Sequence, residues 1–201
     1  MKTYKFKDEN EWLDARRGKI TGTKAKGILP KSRGAGRRVE FYNLIAERVA
    51  VPADLENVMD RGKRLEEQAI EEFEKKTKKK IDNSLVIWQR EEFPEIALSP
   101  DGFTSDGKEA VEVKCLASGR HIEAWLTEKI PTEYESQVIQ YFVVNDKLET
   151  LHFVFYDPRM PKPIFWIDID REDLEDKIEE YFEAEKSAIE EIKKIEKELT
   201  F

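Results

Sequence analysis

Apolar residues recur along this chain with two periods, and the switch between them marks out its elements. Residues 9–16 suit a short helix, and Phe41, Leu44, Ile45 and Val49 repeat at helical spacing. A further helix is predicted over 61–77, with Leu65, Ala69, Ile70 and Phe73 on its inner face. Alternation then takes over. SLVIWQ (84–89), EIALS (95–99) and AVEVKC (110–115) read as strands divided by the turn signals PDG and SDGK. Residues 132–144 suit a helix opened by Thr132 as N-cap after Pro131. Two more strands, TLHFVFY (150–156) and PIFWIDI (163–169), flank the turn DPRMPK. A long amphipathic helix over 172–199 carries the stripe Leu174, Ile178, Tyr181, Phe182, Ile189, Ile192, Ile195 and Leu199. Helices at both ends of a central mixed sheet imply an α/β or α+β fold in a single domain spanning 1–201. Within it, 1–64 is a basic helical part, 65–170 the core and 171–201 the acidic terminal helix.

Composition changes this picture little, and charge changes it more. At 201 residues with 39% apolar content the chain can bury one sizeable core. There is no run of 18 apolar residues, and the first residues lack a signal-peptide core, so the chain reads as cytoplasmic with no membrane partner. A lone cysteine, Cys115, excludes an internal disulfide and a four-cysteine cluster. The net charge is −8, yet residues 1–64 hold 16 Lys/Arg against 9 Asp/Glu. The remaining 19 and 34 make the rest strongly acidic. A polyanion could therefore meet a basic N-terminal surface, although such asymmetry also arises by chance.

The candidate chemistry lies in SPDGF (99–103) followed by VEVK (111–114). On a strand, Val111 and Val113 share one face and Glu112 and Lys114 the other. Asp101 stands where the preceding strand breaks into a turn, so its carboxylate can reach towards Glu112. Two hard carboxylates and a backbone carbonyl suit Mg²⁺, with Mn²⁺ as a substitute. The adjacent lysine can orient an attacking water and offset charge on a phosphate. The alternative reading is a surface hairpin, for which D…ExK is ordinary decoration. Glu66, on the helix over 61–77, could add a carboxylate. Gln137 and Tyr141, four apart on a helix, share one face.

In the order Glu66, Asp101, Glu112-x-Lys114, Gln137-x-x-x-Tyr141, the chain resembles the YqaJ/lambda-exonuclease family of phage recombination nucleases. That family belongs to the RecB-like branch of the PD-(D/E)xK fold. The resemblance extends over RRGKITGT (16–23), LIAE (44–47), GKRLEE (62–67), SPDGFTSDG (99–107), EVKC (112–115), SQVIQY (136–141) and YDPRM (156–160). It implies a restriction-endonuclease-like core. By the same resemblance Asp101, Glu112 and the Val113 carbonyl hold Mg²⁺, Lys114 positions the nucleophilic water, Glu66 supports the metal site, and Gln137 holds the scissile region. Arg16 and Thr23 match a pocket for a terminal 5′-phosphate, and Met59 stands where relatives place an apolar wedge. The implied activity is Mg²⁺-dependent 5′→3′ exonucleolysis of double-stranded DNA ends. It releases 5′-mononucleotides and leaves a 3′ overhang for strand annealing. The implied assembly is a homotrimeric ring, with a single-strand annealing protein as partner.

Lys31, Arg33, Arg37 and Arg38 in a Gly-rich loop are expected to touch backbone phosphates, and Tyr141 to contact DNA. His121 and His152 read as structural. Cys115 should face the core opposite Lys114 and carries no assigned chemistry. Two alternatives stay open: an internally cutting PD-(D/E)xK endonuclease of restriction or junction-resolving type, and a DNA-binding relative without chemistry.

Overall fold

In the computed structural model the described residues are 58–199 and seven helical positions before them: 39, 42, 43, 45–47 and 49. The side chains of 58–63, 191–193 and 195–199 fall outside the description. The expectations for the helix at 9–16, for Arg16, Thr23, Lys31, Arg33, Arg37 and Arg38, and for the side chain of Met59 lie outside the described residues.

Helix α1, Val58–Thr77, is rich in Glu and Lys, both strong helix formers. It ends where Lys78 turns left-handed at φ 63° and donates its N–H to the Glu74 carbonyl at 2.8 Å. Its inner face is the expected one, since Leu65, Ala69, Ile70 and Phe73 are all buried. Burying a ring such as that of Phe73 contributes roughly 1.5–3 kcal/mol. Farther up the chain burial passes to Ala46, and Val49 is exposed rather than inward.

The central sheet has the order β3 (Gly102–Phe103), β4 (Glu109–Lys114), β5 (Thr150–Tyr156), β6 (Ile164–Asp170). The β4–β5 pair is parallel and the outer pairs are antiparallel. A parallel pair needs a crossover. The chain supplies it with α2 (Ser118–Thr127), a 3₁₀ turn (Thr132–Tyr134) and α3 (Glu135–Val144). On one sheet face Val111, Val113, Val154, Tyr156 and Ile164 pack on α1. On the other Ala110, Leu151, Phe153 and Phe155 pack beneath α3 and α4, Glu175–Leu199. The mixed sheet flanked by helices, with a long terminal helix, is the fold class expected.

Several boundaries differ from the sequence reading. Only Trp88–Gln89 (β1) and Ala97–Leu98 (β2) pair within the two apolar runs, as a small separate ladder. Leu85 and Ile87 are 91% and 70% exposed, because the main sheet offers their segment no neighbour. The dipeptide after Asp101 is not wholly turn, since Gly102 and Phe103 pair with Val111 and Ala110. Gly102 is required there, as a Cβ would lie 2.4 Å from Ile81 Cγ2. Helix α2 was not anticipated. Thr132 makes no N-cap, because the chain enters α3 through the 3₁₀ turn and Tyr134 takes that place without a side-chain cap.

Candidate active site

β3 is only two residues long, and that brevity builds the site. Gly102 is opposite Val111, so the register continued by one residue sets Asp101 beside Glu112. Beyond the end of β3 the ladder has no backbone acceptor for Val113. Asp101 Oδ2 takes its place, accepting the Val113 N–H at 2.8 Å. Burial pushes the Asp101 carboxyl up to about 7, and the negative charge of Glu112 adds to the rise. The Val113 N–H opposes it, Glu66 raises it further, and Lys114 lowers it. Glu66 is thus electrostatically part of the site, from the partly exposed side of α1.

Glu112 shares the strand face of Lys114, as the alternation predicts. It is 2% exposed, because β4 is a central strand and α3 covers that face. A buried carboxylate needs partners, and α3 supplies two from consecutive turns. Gln137 Nε2 donates to Glu112 Oε1 at 2.7 Å, and the Tyr141 hydroxyl donates to Oε2 at 2.6 Å. The Lys114 ammonium also donates to Oε1. Burial holds the Tyr141 hydroxyl well above its ordinary pKa, and Glu112 reinforces this, so the phenol keeps the proton it donates.

Tyr141 is therefore misread as a DNA contact. It is fully buried, with no surface for a ligand, and its partner is the carboxylate. The shared face of Gln137 and Tyr141 was correctly read, but not its direction. That face turns inward to the sheet. Lys114 keeps an exposed fraction of 20%, and its ammonium stands 5.0 Å from the centroid of the Tyr134 ring, which the sequence reading passed over.

The cluster therefore presents two carboxylates of different character. Glu112 is held by three donors, whereas Asp101 receives one backbone N–H and carries a raised pKa. Among the described residues no three His, Cys, Asp or Glu side chains are gathered into a metal-holding group. The donor set at hand is Asp101, Glu112 and backbone oxygen. Two hard oxygen ligands crowded with like charge are an arrangement that a divalent cation relieves, so the residues present fit Mg²⁺.

The ends of the parallel strands are pinned together nearby. Asp157, 1% exposed after β5, accepts from Ser118 Oγ at the start of α2 and from Arg159 Nε and Nη2 at 2.7 and 2.8 Å. The YDPRM stretch thus sets where α2 begins after β4. His152 is buried between Glu109 and Asp168, and His121 packs edge-on to Phe165 at 5.0 Å. His152 stands on β5 and His121 on α2, and their hydrogen-bond partners are Glu109, Asp168 and the Lys162 carbonyl rather than the carboxylate pair. Cys115 lies with Val111 and Val113 against the α1 cluster, the face expected for it.

The chain matches the YqaJ-like viral recombinase domain over residues 11–148, more than half its length. It belongs to that family. Two solved structures extend the likeness. The alkaline exonuclease LHK-Exo from Laribacter hongkongensis is 27% identical, with 96% of this chain and 100% of that one covered and a TM-score of 0.57. LHK-Exo in complex with dAMP is 28% identical over the same coverage, also at 0.57. No curated protein matches the chain. This YqaJ-like protein is a phage-type nuclease. Among the described residues no helix is long and apolar enough to cross a membrane.

Proposed function

We propose that this YqaJ-like nuclease is a 5′→3′ exonuclease that resects double-stranded DNA ends, releasing 5′-mononucleotides and leaving a 3′ overhang for strand annealing. One observation carries the reading: Asp101, Glu112 and Lys114 converge at one end of the central sheet, with Glu112 oriented by Gln137 and Tyr141. The likeness to LHK-Exo, an alkaline exonuclease crystallised with dAMP, supports mononucleotide release.

In this reading Asp101, Glu112 and the Val113 carbonyl hold Mg²⁺ or Mn²⁺, with Glu66 in support. The metal, when bound, supplies Lewis-acid stabilisation of the phosphate charge. Lys114 has three N–H donors, of which Glu112 takes one. The others can hold the attacking water and a phosphate oxygen together, so that the reacting pair meets in one orientation. Gln137 and Tyr141 keep Glu112 from turning away when substrate enters. Arg16 and Thr23 bind the terminal 5′-phosphate, and Lys31, Arg33, Arg37 and Arg38 follow the backbone, with Met59 at the fraying end. A homotrimeric ring around the duplex, handing its product strand to a single-strand annealing protein, accommodates an acidic chain because only the lining need be basic.

The test is digestion of a linear duplex with and without a 5′-phosphate, in Mg²⁺ and in EDTA, beside a covalently closed circle. Phosphorylated linear DNA should be shortened to mononucleotides, in Mg²⁺ alone. Cutting of the circle would favour an endonuclease, and undiminished activity in EDTA would remove the metal.

A further inference from the structure

Lys114 is bounded by Glu112 on one side and an aromatic ring on the other. Tyr134 is the last residue of the 3₁₀ turn before α3, and the Lys114 ammonium stands 5.0 Å from its ring centroid. The ring is braced from behind, 5.8 Å from the ring of Phe153. Phe153 in turn is the β5 residue paired with Glu112. The turn is held from its other side by Arg120 on α2, whose guanidinium grips both Glu123 and the neighbouring Glu133. Glu112, Phe153, Tyr134 and Lys114 therefore form a closed loop of contacts, with the ammonium between a carboxylate and a ring face.

We propose that Tyr134 is a positioning residue that fixes the Lys114 ammonium over the cleft through its ring face. The inference rests on the nuclease reading of this site and adds a residue to it. A lysine side chain carries large rotamer freedom, and a single bond to Glu112 leaves its remaining donors free to swing. An aromatic face attracts a cation without competing for its N–H groups. The ring thus narrows the positions of the ammonium while leaving two donors available to water and phosphate. The hydroxyl of Tyr134 has no part in this, so phenylalanine should serve and an aliphatic side chain should not.

Two variants and two readouts test it, with Mg²⁺ and linear duplex. Tyr134→Leu should lower kcat about tenfold, as expected for loss of a partly desolvated cation–π contact, with KM and DNA affinity little changed. Tyr134→Phe should recover most of that loss. Independently of activity, ¹⁵N,¹³C-lysine spectra should show the Lys114 side-chain methylene next to the ammonium displaced upfield by the ring. That displacement should vanish in Tyr134→Leu and persist in Tyr134→Phe. Full kcat in Tyr134→Leu, or a Tyr134→Phe as impaired as the leucine variant, would overturn the assignment. A fall in DNA affinity at unchanged kcat would make Tyr134 a DNA contact instead. If the wild-type protein cleaves no DNA end, the nuclease reading fails while the spectra still decide whether the ring holds the lysine.

Discussion

Replacing Tyr141 by phenylalanine removes one oxygen from the protein and nothing else. The ring stays, with its edge contact to Trp88 at 6.4 Å, so no cavity opens. What disappears is the 2.6 Å hydrogen bond to Glu112 Oε2, inside a region where Glu112 is 2% exposed. The second contact of the hydroxyl, to the Val111 carbonyl, is at 3.5 Å and adds little. A hydrogen bond to a charged group is worth about 1.5–3 kcal/mol, and water cannot replace the donor at this depth. Spread over a chain of this size, that loss lowers Tm by about 3–12 °C. The assay is urea unfolding at neutral pH in EDTA, so that no cation compensates for the missing donor. The slope m should not change, since both states expose the same surface. A double-mutant cycle with Glu112→Gln isolates the pair and should return a coupling above about 1 kcal/mol. A Tyr141→Phe protein as stable as wild type within about 0.5 kcal/mol, or additive variants, would refute the clamp on Glu112.

Lys114→Ala should reduce cleavage of linear duplex by at least about 10²-fold while fluorescence anisotropy shows DNA binding retained; unimpaired cleavage would dismantle the site. Gly102→Ala should cost about 1–3 kcal/mol in denaturant unfolding, since the new Cβ would press on Ile81 Cγ2 beside Asp101. A neutral result would mean that Ile81 moves aside freely. Burial works against the charge on Asp157, yet Arg159 and Ser118 outweigh it and hold its carboxyl below the ordinary 3.8. Such a lowered group contributes stability above the unfolded value that is lost as pH falls through the folded one. Asp157→Asn should therefore cost about 3 kcal/mol at pH 7, with the difference from wild type closing below about pH 4. A pH-independent difference would contradict the ion pair.

The legible parts of this fold are those whose burial follows from local pattern. The run TLHFVFY is buried at nearly every position because β5 is central, and Leu65, Ala69, Ile70 and Phe73 state the inner face of α1 by spacing alone. SLVIWQ has the same look and fails as a strand, since pairing depends on a neighbour that apolar content cannot announce. Helix α2 escaped because Ser118 and Gly119 open it without a capping signal. At the site, Asp101, Glu112 and Lys114 were legible from chemistry and spacing, and so was the common face of Gln137 and Tyr141. That this face turns to the sheet, converting Tyr141 from a DNA contact to a carboxylate donor, depends on the packing of α3 over β4. Tyr134 was illegible for the same reason, as its partner is 20 residues away in sequence.

The unequal treatment of the two carboxylates follows from where the sheet ends. Glu112 is on a central strand under a helix, where an unpaired charge would be ruinous, so the fold surrounds it with Gln137, Tyr141 and Lys114. Asp101 stands just outside the last rung of β3, where one backbone N–H is all the ladder has left to offer. Burial and the neighbouring charge then keep it short of compensation, with a pKa near 7. A site in which both carboxylates were equally satisfied would gain stability without a cation and would have less to gain from binding one. In the proposed metal-dependent reading, the clamped carboxylate would fix the geometry and the under-compensated one would supply the drive to bind a cation. The short strand β3 is what separates the two roles: because it stops at Gly102, the Val113 N–H turns to the Asp101 carboxylate beside Glu112 instead of to a backbone carbonyl.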